Sequence, residues 1–341
     1  MWVLVTGGAG FIGSTMVRQL LGHEHFVRVL DNLTYATGNS WDNLNGLDVH
    51  NILKGDIRDY DRCLSALQEI DAVIHFAAES HVTRSEEAED LFRDVNCYGT
   101  ENILAAACDA GVRHFIHIST DEVYGPAPPG IFFREEDKKV EDKQATSPYA
   151  KSKALADDSV CGWMDIDVFS SLAIVRPTNN FGPRQHLEKA LPRWITHILR
   201  GQKIPIWGEG NQVRDWLFVE DCCQAIMMLF EGNISGVYNI AANNLPEITN
   251  LEMAKRVISI LHDGQDPEKY IEFIEDPRPD HDFRYGISTE KIHNKTGWQP
   301  STSLDDALRQ TVEWYFNHEK WWRRRIEDAE NLYAGKEQTR R

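Results

Sequence analysis

Tyr149 and Lys153 stand four residues apart, and Asp121 and Glu122 stand side by side 28 residues upstream of that tyrosine. A spacing of four places Tyr149 and Lys153 on one face of a helix. The first pair suits proton removal from an alcohol that is being oxidised. A free tyrosine ionises near pH ~10, so its use as a base near neutrality costs about 4 kcal/mol, which an adjacent ammonium helps to offset. The second pair supplies an acid and a base. Oxidation followed by elimination needs all four groups. A tyrosine four residues before a lysine is by itself a common accident, and an Asp-Glu pair after a strand is often only a cap or turn. Their weight comes from what precedes them.

The opening of the chain is Gly7-Gly8-Ala9-Gly10-Phe11-Ile12-Gly13, directly after the apolar run Trp2-Val3-Leu4-Val5. A glycine turn between a strand and a helix cradles a pyrophosphate. Gly7 permits the tight turn, Gly10 the close approach of ligand, and Gly13 the packing of helix on sheet. Asp31 falls 18 residues after Gly13, where a carboxylate accepts hydrogen bonds from the adenosine ribose hydroxyls. A 2′-phosphate there would be repelled, and Asn32 and Leu33 bring no cation, so the expected cofactor is NAD. Asp56 and Ile57, after the third strand, are expected to flank the adenine, although a loop aspartate serves equally well as a turn former.

These residues require a sheet with helices on both sides. Strand-length apolar runs at 2–6, 26–30, 49–53, 72–77, 114–119 and 170–176 alternate with helical stretches. This predicts an α/β fold with a Rossmann-type doubly wound parallel sheet. A helix is expected from Phe11 to about Gly22, and another starting at Ser147-Pro148, serine as cap and proline at the first helical position. Past residue 178 turn-rich segments take over, at Gly182-Pro183, Gly208 to Asn211 and Asp276 to Pro279, with a strand at Gly236–Ile240 and a helix near 250–262. The expected organisation is an NAD-binding domain over 1–178, a smaller α/β substrate lobe over 179–322 with some segments returning to the first domain, and a charged, solvated tail over 323–341.

Across all 341 residues the net charge is −17, which disfavours nucleic acid and anionic membrane as partners. The six cysteines show no C-x-x-C spacing and no Cys/His cluster marks a metal site, so they are expected to be inert and no metal is expected. Nothing resembles a leader or a membrane span, and the expected location is the cytoplasm.

Taken in order, further runs fall into place: Ala77-Ala78-Glu79-Ser80-His81-Val82, Thr120 to Gly125, Tyr149 to Lys153, Asn179 to Pro183, Arg214-Asp215-Trp216, and Arg278 to Tyr285. From Val3 to about Trp322 the chain resembles the extended short-chain dehydrogenase/reductase family, in its nucleotide-sugar branch, and within it the 4,6-dehydratases. The resemblance implies NAD-dependent dehydration of a nucleoside-diphosphate glucose, dTDP-glucose by preference, to a 4-keto-6-deoxy sugar. Asp121 is the discriminating residue, because similar epimerases and decarboxylases carry serine or alanine there. An epimerase or decarboxylase of the same fold is the alternative, and a silent cofactor-binding scaffold a remoter one.

By the same resemblance Tyr149, Lys153 and Thr120 serve the oxidation, Glu122 removes the C5 proton and Asp121 protonates the leaving hydroxyl. Thr34, Phe76, Ala77, Ala78, Val95 and Asn180 join the cofactor set. Tyr149 and Lys153 count in the cofactor set as well, and Ser80, His81, Thr120, Asn179, Lys189, Leu191, Pro192, Pro205, Ile206, Trp207, Arg214, Asn250, Arg278 and His281 form the substrate set. Trp207, where the family usually has tyrosine, and Arg184 and His186-Leu187, in an expected aromatic-proline stretch, depart from the pattern. So do Pro277 and Asp280 around Arg278. The base therefore stays open between dTDP, UDP and CDP, and the sugar between glucose and a 2-acetamido sugar. A homodimer is implied, built on the helix around 92–108 and the one beginning near Tyr149.

Overall fold

The alternation of apolar runs and helical stretches becomes a layered α/β structure. The computed structural model describes residues 1–34, 38, 40–137, 147–166, 168–276 and 282–331. Seven strands form the central sheet in the order Gly236–Ile240, Ser171–Pro177, His114–Ile118, Ala72–His75, Trp2–Thr6, Phe26–Asp31, Asn51–Lys54. Every pairing in it is parallel. Side chains of one strand alternate between faces. Val3 and Val5 join the helices Phe11–Gly22 and Val219–Glu231 in one core, with Met16, Leu20 and Ile226 fully enclosed. Leu4 faces the opposite layer, packed with Leu30, Ile103, Phe115 and Val160.

From Trp2–Thr6 the chain steps outward through two strands, then crosses back to place Ala72–His75 on the other side of the first strand. Doubly wound sheets bind ligands at the carboxyl ends of the strands where the order reverses in this way. Gly7 and Phe76 leave the sheet there.

The seventh strand comes from beyond residue 179 and closes the sheet edge against Ser171–Pro177. The rest of the later chain is built from two-stranded pieces: Asn179–Phe181 with Trp216–Phe218, Val213–Arg214 with Ile248–Thr249, and Ile204–Trp207 with Ile271–Ile274. The helix Asn250–Leu261 starts on a capping box in which Thr249 and Glu252 exchange bonds. Charge composition alone marks the chain after Arg323 as solvated, yet a helix continues over Ile326–Asn331 and Arg325 is buried. No helix among the described residues is long and apolar enough to cross a membrane.

Candidate active site

A cleft of about 440 Å³ opens over the switch point of the sheet and runs toward the later part of the chain. At its sheet end lies the glycine turn. Gly7 sits at φ +68°, and a Cβ on it would lie 2.7 Å from the backbone nitrogen of Ala77. A Cβ on Gly13 would run into the carbonyl of Gly7. The helix starting at Phe11 has no side chain capping it, which leaves first-turn N–H groups and the positive end of the helix dipole for an anion. Asp31, buried beside this turn, accepts the N–H of Ala9 at 3.0 Å and of Leu33 at 2.8 Å. Each carboxylate oxygen keeps a further lone pair for a ribose hydroxyl. Burial raises the pKa of Asp31. Asp56 is fixed by Arg58 at 2.7 Å, which lowers its pKa. The walls continue with Asn32, Thr34, Ile57, Phe76, Ala77, Ala78 and Val95. These residues fit a dinucleotide.

At the other end Ser147 caps the helix Pro148–Met164 by accepting the N–H of Ala150 at 3.1 Å, and Pro148 takes its first turn. Tyr149 and Lys153 consequently face the cleft together. The Lys153 ammonium donates to the carbonyl of Ile118 at 2.7 Å and lies 3.4 Å from Nε2 of His117. Below it Asp157 accepts from Arg176 at 2.8 Å, and its other oxygen is 3.8 Å from His117. Burial brings Lys153 down to about 8, against the opposing charge of Asp157. Burial and then the charge of Glu122 push the Tyr149 phenol up, and a bond with Thr120 pulls it back. The expected lowering of the Tyr149 pKa calls on Lys153 together with the charge of a bound nicotinamide, and in the protein alone burial and the neighbouring carboxylates favour the neutral phenol.

Thr120 ends the chain's approach from His114–Ile118, and its hydroxyl caps the 3₁₀ turn Asp121–Tyr124, accepting the N–H of Glu122 at 3.3 Å and donating to Asp121 at 3.3 Å. Asp121 is 2 % exposed, and its Oδ2 has no hydrogen-bond partner among the described residues. Burial and then the charge of Glu122 hold its carboxyl well above the usual range. Both effects favour the neutral form of Asp121 beside a second carboxyl.

Of the expected substrate residues, Ser80, Thr120, Asn179, Lys189, Leu191, Arg214 and Asn250 line the cleft, as does Asn180 of the cofactor set. Lys189 donates to the carbonyl of Ser80 at 3.1 Å. Arg214 donates to the carbonyls of Val213, Phe283 and Asp282, with its guanidinium 4.7 Å from the Tyr285 ring centre. Leu33, His81, Pro192, Pro205, Ile206 and Trp207 are not among the lining residues. His81 is enclosed and caps the helix Val82–Glu87 by accepting the N–H of Arg84. Pro192 is buried in the helix Ala190–Leu199, and Pro205, Ile206 and Trp207 belong to a two-stranded piece. Arg278 and His281 lie outside the described residues. Glu79, His186, Glu188, Trp216 and Tyr285 also line the cleft, with no role assigned from sequence. All but His186 and Glu188 fall inside the runs quoted above, so their neighbours were the available signal. Cys222 and Cys223 are fully buried, with the Cys222 thiol pushed up to about 12.

The model of the NAD dependent epimerase/dehydratase family matches residues 3–241, spanning the glycine turn, both carboxyls and the Tyr/Lys pair. The chain belongs to that family. As a member of the NAD-dependent epimerase/dehydratase family it is an enzyme that uses NAD. It is 42% identical over 325 residues to the low-salt glycan biosynthesis protein Agl12 of Haloferax volcanii, covering 94% of this chain and 100% of the relative. It is 39% identical to a dTDP-glucose 4,6-dehydratase of Streptomyces niveus, covering 94% and 95%. Among solved structures, the dTDP-glucose 4,6-dehydratase DesIV of Streptomyces venezuelae, with NAD bound, superposes at a TM-score of 0.86 with 38% identity, covering 94% of this chain and 99% of that one.

Proposed function

We propose that this enzyme removes water from a nucleoside-diphosphate glucose, dTDP-glucose first among the candidates, to give the 4-keto-6-deoxy sugar. The observation that carries the reading is Asp121, buried against Glu122 with its carboxyl held toward the neutral form. Neither an epimerisation nor a decarboxylation needs a carboxylic acid at that place.

The glycine turn and Asp31 would hold NAD, which would supply hydride chemistry, taking up a hydride at C4 and giving it back at C6 as C5 regains the proton held by Glu122. The chain's residues manage the protons. Tyr149 takes the proton of the 4-hydroxyl, its phenolate favoured by the Lys153 ammonium, and the Thr120 hydroxyl donates to the carbonyl oxygen that forms. The ketone acidifies the C5–H bond. Glu122 takes that proton, the C5–C6 double bond forms as the C6–O bond breaks, and Asp121 gives its proton to the departing oxygen. The products of this step are water, an ionised Asp121 and a protonated Glu122. Arg214 and Lys189 supply positive charge along the cleft for the diphosphate, offsetting the acidic whole.

Incubation with dTDP-, UDP- and CDP-glucose in turn, with mass analysis of each product, tests the reading. Loss of one water with one of them is expected, with dTDP-glucose giving the highest rate. A product of unchanged mass from all three overturns it in favour of epimerisation.

We also infer a homodimer. Tyr98 and Leu155 are exposed large apolar residues on the neighbouring helical segments Asp94–Tyr98 and Pro148–Met164, at 60% and 45%. Sizing chromatography is expected to return twice the chain mass of 39.0 kDa.

A further inference from the structure

The glycine turn is held by a residue that no motif contains, and that residue is held in turn by the far end of the chain. Asn43, 2 % exposed, lies in the short turn Asp42–Leu44 after the second strand. Its amide N–H donates to the carbonyl of Ala9 at 2.9 Å, in the middle of the glycine turn. Its amide oxygen accepts the indole N–H of Trp321 at 3.0 Å, from 278 residues away. The orientation of the amide is fixed by chemistry, since an indole N–H only donates and a carbonyl only accepts. The Asn43 backbone carbonyl accepts Arg18 at 2.7 Å from the helix that follows the turn. Ala9 is therefore held on both sides, its N–H by Asp31 at 3.0 Å and its carbonyl by Asn43.

The rest of the C-terminal segment secures the same place. Arg325, 3% exposed, donates to the Trp321 carbonyl at 2.7 Å, to Ser40 at 3.2 Å and to Asp42 at 3.3 Å. Its guanidinium lies 4.1 Å from the centre of the Trp321 ring. With Arg324 also donating to Asp42 at 3.4 Å, three side chains of this segment grip 40–43, and one of them, Trp321, reaches the cofactor turn through a single intermediary.

We propose that the segment 319–331 is a clasp on the cofactor turn, in which Trp321, acting through Asn43, is a positioning residue for NAD. An Ala9 carbonyl held to Asn43 keeps its negative end away from the pyrophosphate that the helix N-terminus attracts. Without Asn43, or with Asn43 free to rotate, the Ala9–Gly10 peptide can turn that dipole toward the ligand. The clasp acts on NAD affinity and does not depend on which sugar is processed.

Calorimetric titration of the full-length protein, stripped of nucleotide, with NAD tests this directly. Trp321→Phe, which keeps the ring and removes the donor, is expected to weaken NAD about fivefold, and Asn43→Ala about tenfold. The double variant is expected to match Asn43→Ala within about twofold, because both substitutions act on one chain of bonds. A purely structural role for Trp321 would lower the melting temperature and leave NAD affinity unchanged well below it. NAD affinity of Trp321→Phe within about twofold of the parent, or effects that multiply in full in the double variant, overturns the proposal. Should Asn43→Ala fail to fold, Asn43→Ser takes its place in the cycle.

Discussion

The two ends of the cleft are built on opposite principles. At the glycine turn the loop groups are bonded within the protein, Ala9 through both its N–H and its carbonyl and Asp31 to two backbone N–H groups, while the first-turn N–H groups of the helix stay open for an anion. At the reacting end buried polar atoms stand without partners among the described residues, including Oδ2 of Asp121, Oδ1 of Asn179 and the indole N–H of Trp216. Burying a polar atom unpaired costs on the order of 1–3 kcal/mol. The glycine-turn end is thus a seat held by its own bonds, and the reacting end carries the cost of atoms left unpaired. The two ends therefore differ in kind, one shaped by backbone and the other lined by side chains left wanting bonds.

The largest expected effect breaks the seat. Gly13→Ala drives a methyl into the backbone of Gly7, which has no flexible side chain to yield, and NAD binding is expected to fall by more than about 100-fold in a direct titration. Tyr149→Phe leaves the seat intact and removes the base. NAD affinity is expected to stay within about twofold of the parent, while turnover falls by about 10²- to 10⁴-fold. If Tyr149→Phe lost NAD as well, the division between the two ends would fail.

A smaller effect concerns stability and its sign. Asp121 has a folded pKa raised above its unfolded value, so the stability linked to its proton is fully present below the ordinary carboxyl range and is lost as pH rises toward the folded pKa. Asp121→Asn removes the ionisable group. The variant is therefore expected to melt higher than the parent near neutrality, by roughly 1–2 kcal/mol in unfolding free energy, with the gap shrinking toward pH ~4. Guanidinium unfolding at the two pH values checks this, and a variant less stable than the parent near neutrality would contradict the cost assigned to the reacting end. Smaller still is the alkaline limb of the oxidation, expected to fall as Lys153 loses its proton at about pH 8, visible in the rate of nicotinamide reduction.

Much of the cofactor seat was legible in the sequence because backbone shape demands particular residues. Gly7 and Gly13 are there since nothing with a Cβ fits, and Ser147-Pro148 marks a helix start by its capping chemistry. The central sheet was legible for the same reason, its buried strands reading as apolar runs. Long-range partners were not. Asn43 carries no motif, and its role depends on Trp321 being folded back over the turn, which no local rule encodes. Arg325 sits in a run of like charges that reads as a solvated tail, and only tertiary packing shows that its guanidinium stacks on an indole. Glu188 lacked any signal, and His186 showed only as a departure from an expected aromatic-proline stretch, because both enter the cleft through an irregular loop. The burial of the Tyr149 phenol was not legible either, since four residues of helix give the distance to an ammonium and say nothing about how deeply the phenol is enclosed.

Asp121, its carboxyl held toward the neutral form, is the residue that decides between the proposed dehydration and the other reactions of the family. The most direct test is the mass of the sugar formed from dTDP-glucose by the parent enzyme and by Asp121→Asn, with NAD present. The account predicts a parent product lighter by one water, and in the variant a water-loss rate lower by about 10²-fold or more while reduction of the nicotinamide persists. Water loss at the parent rate in Asp121→Asn, or a parent product of unchanged mass, would contradict it.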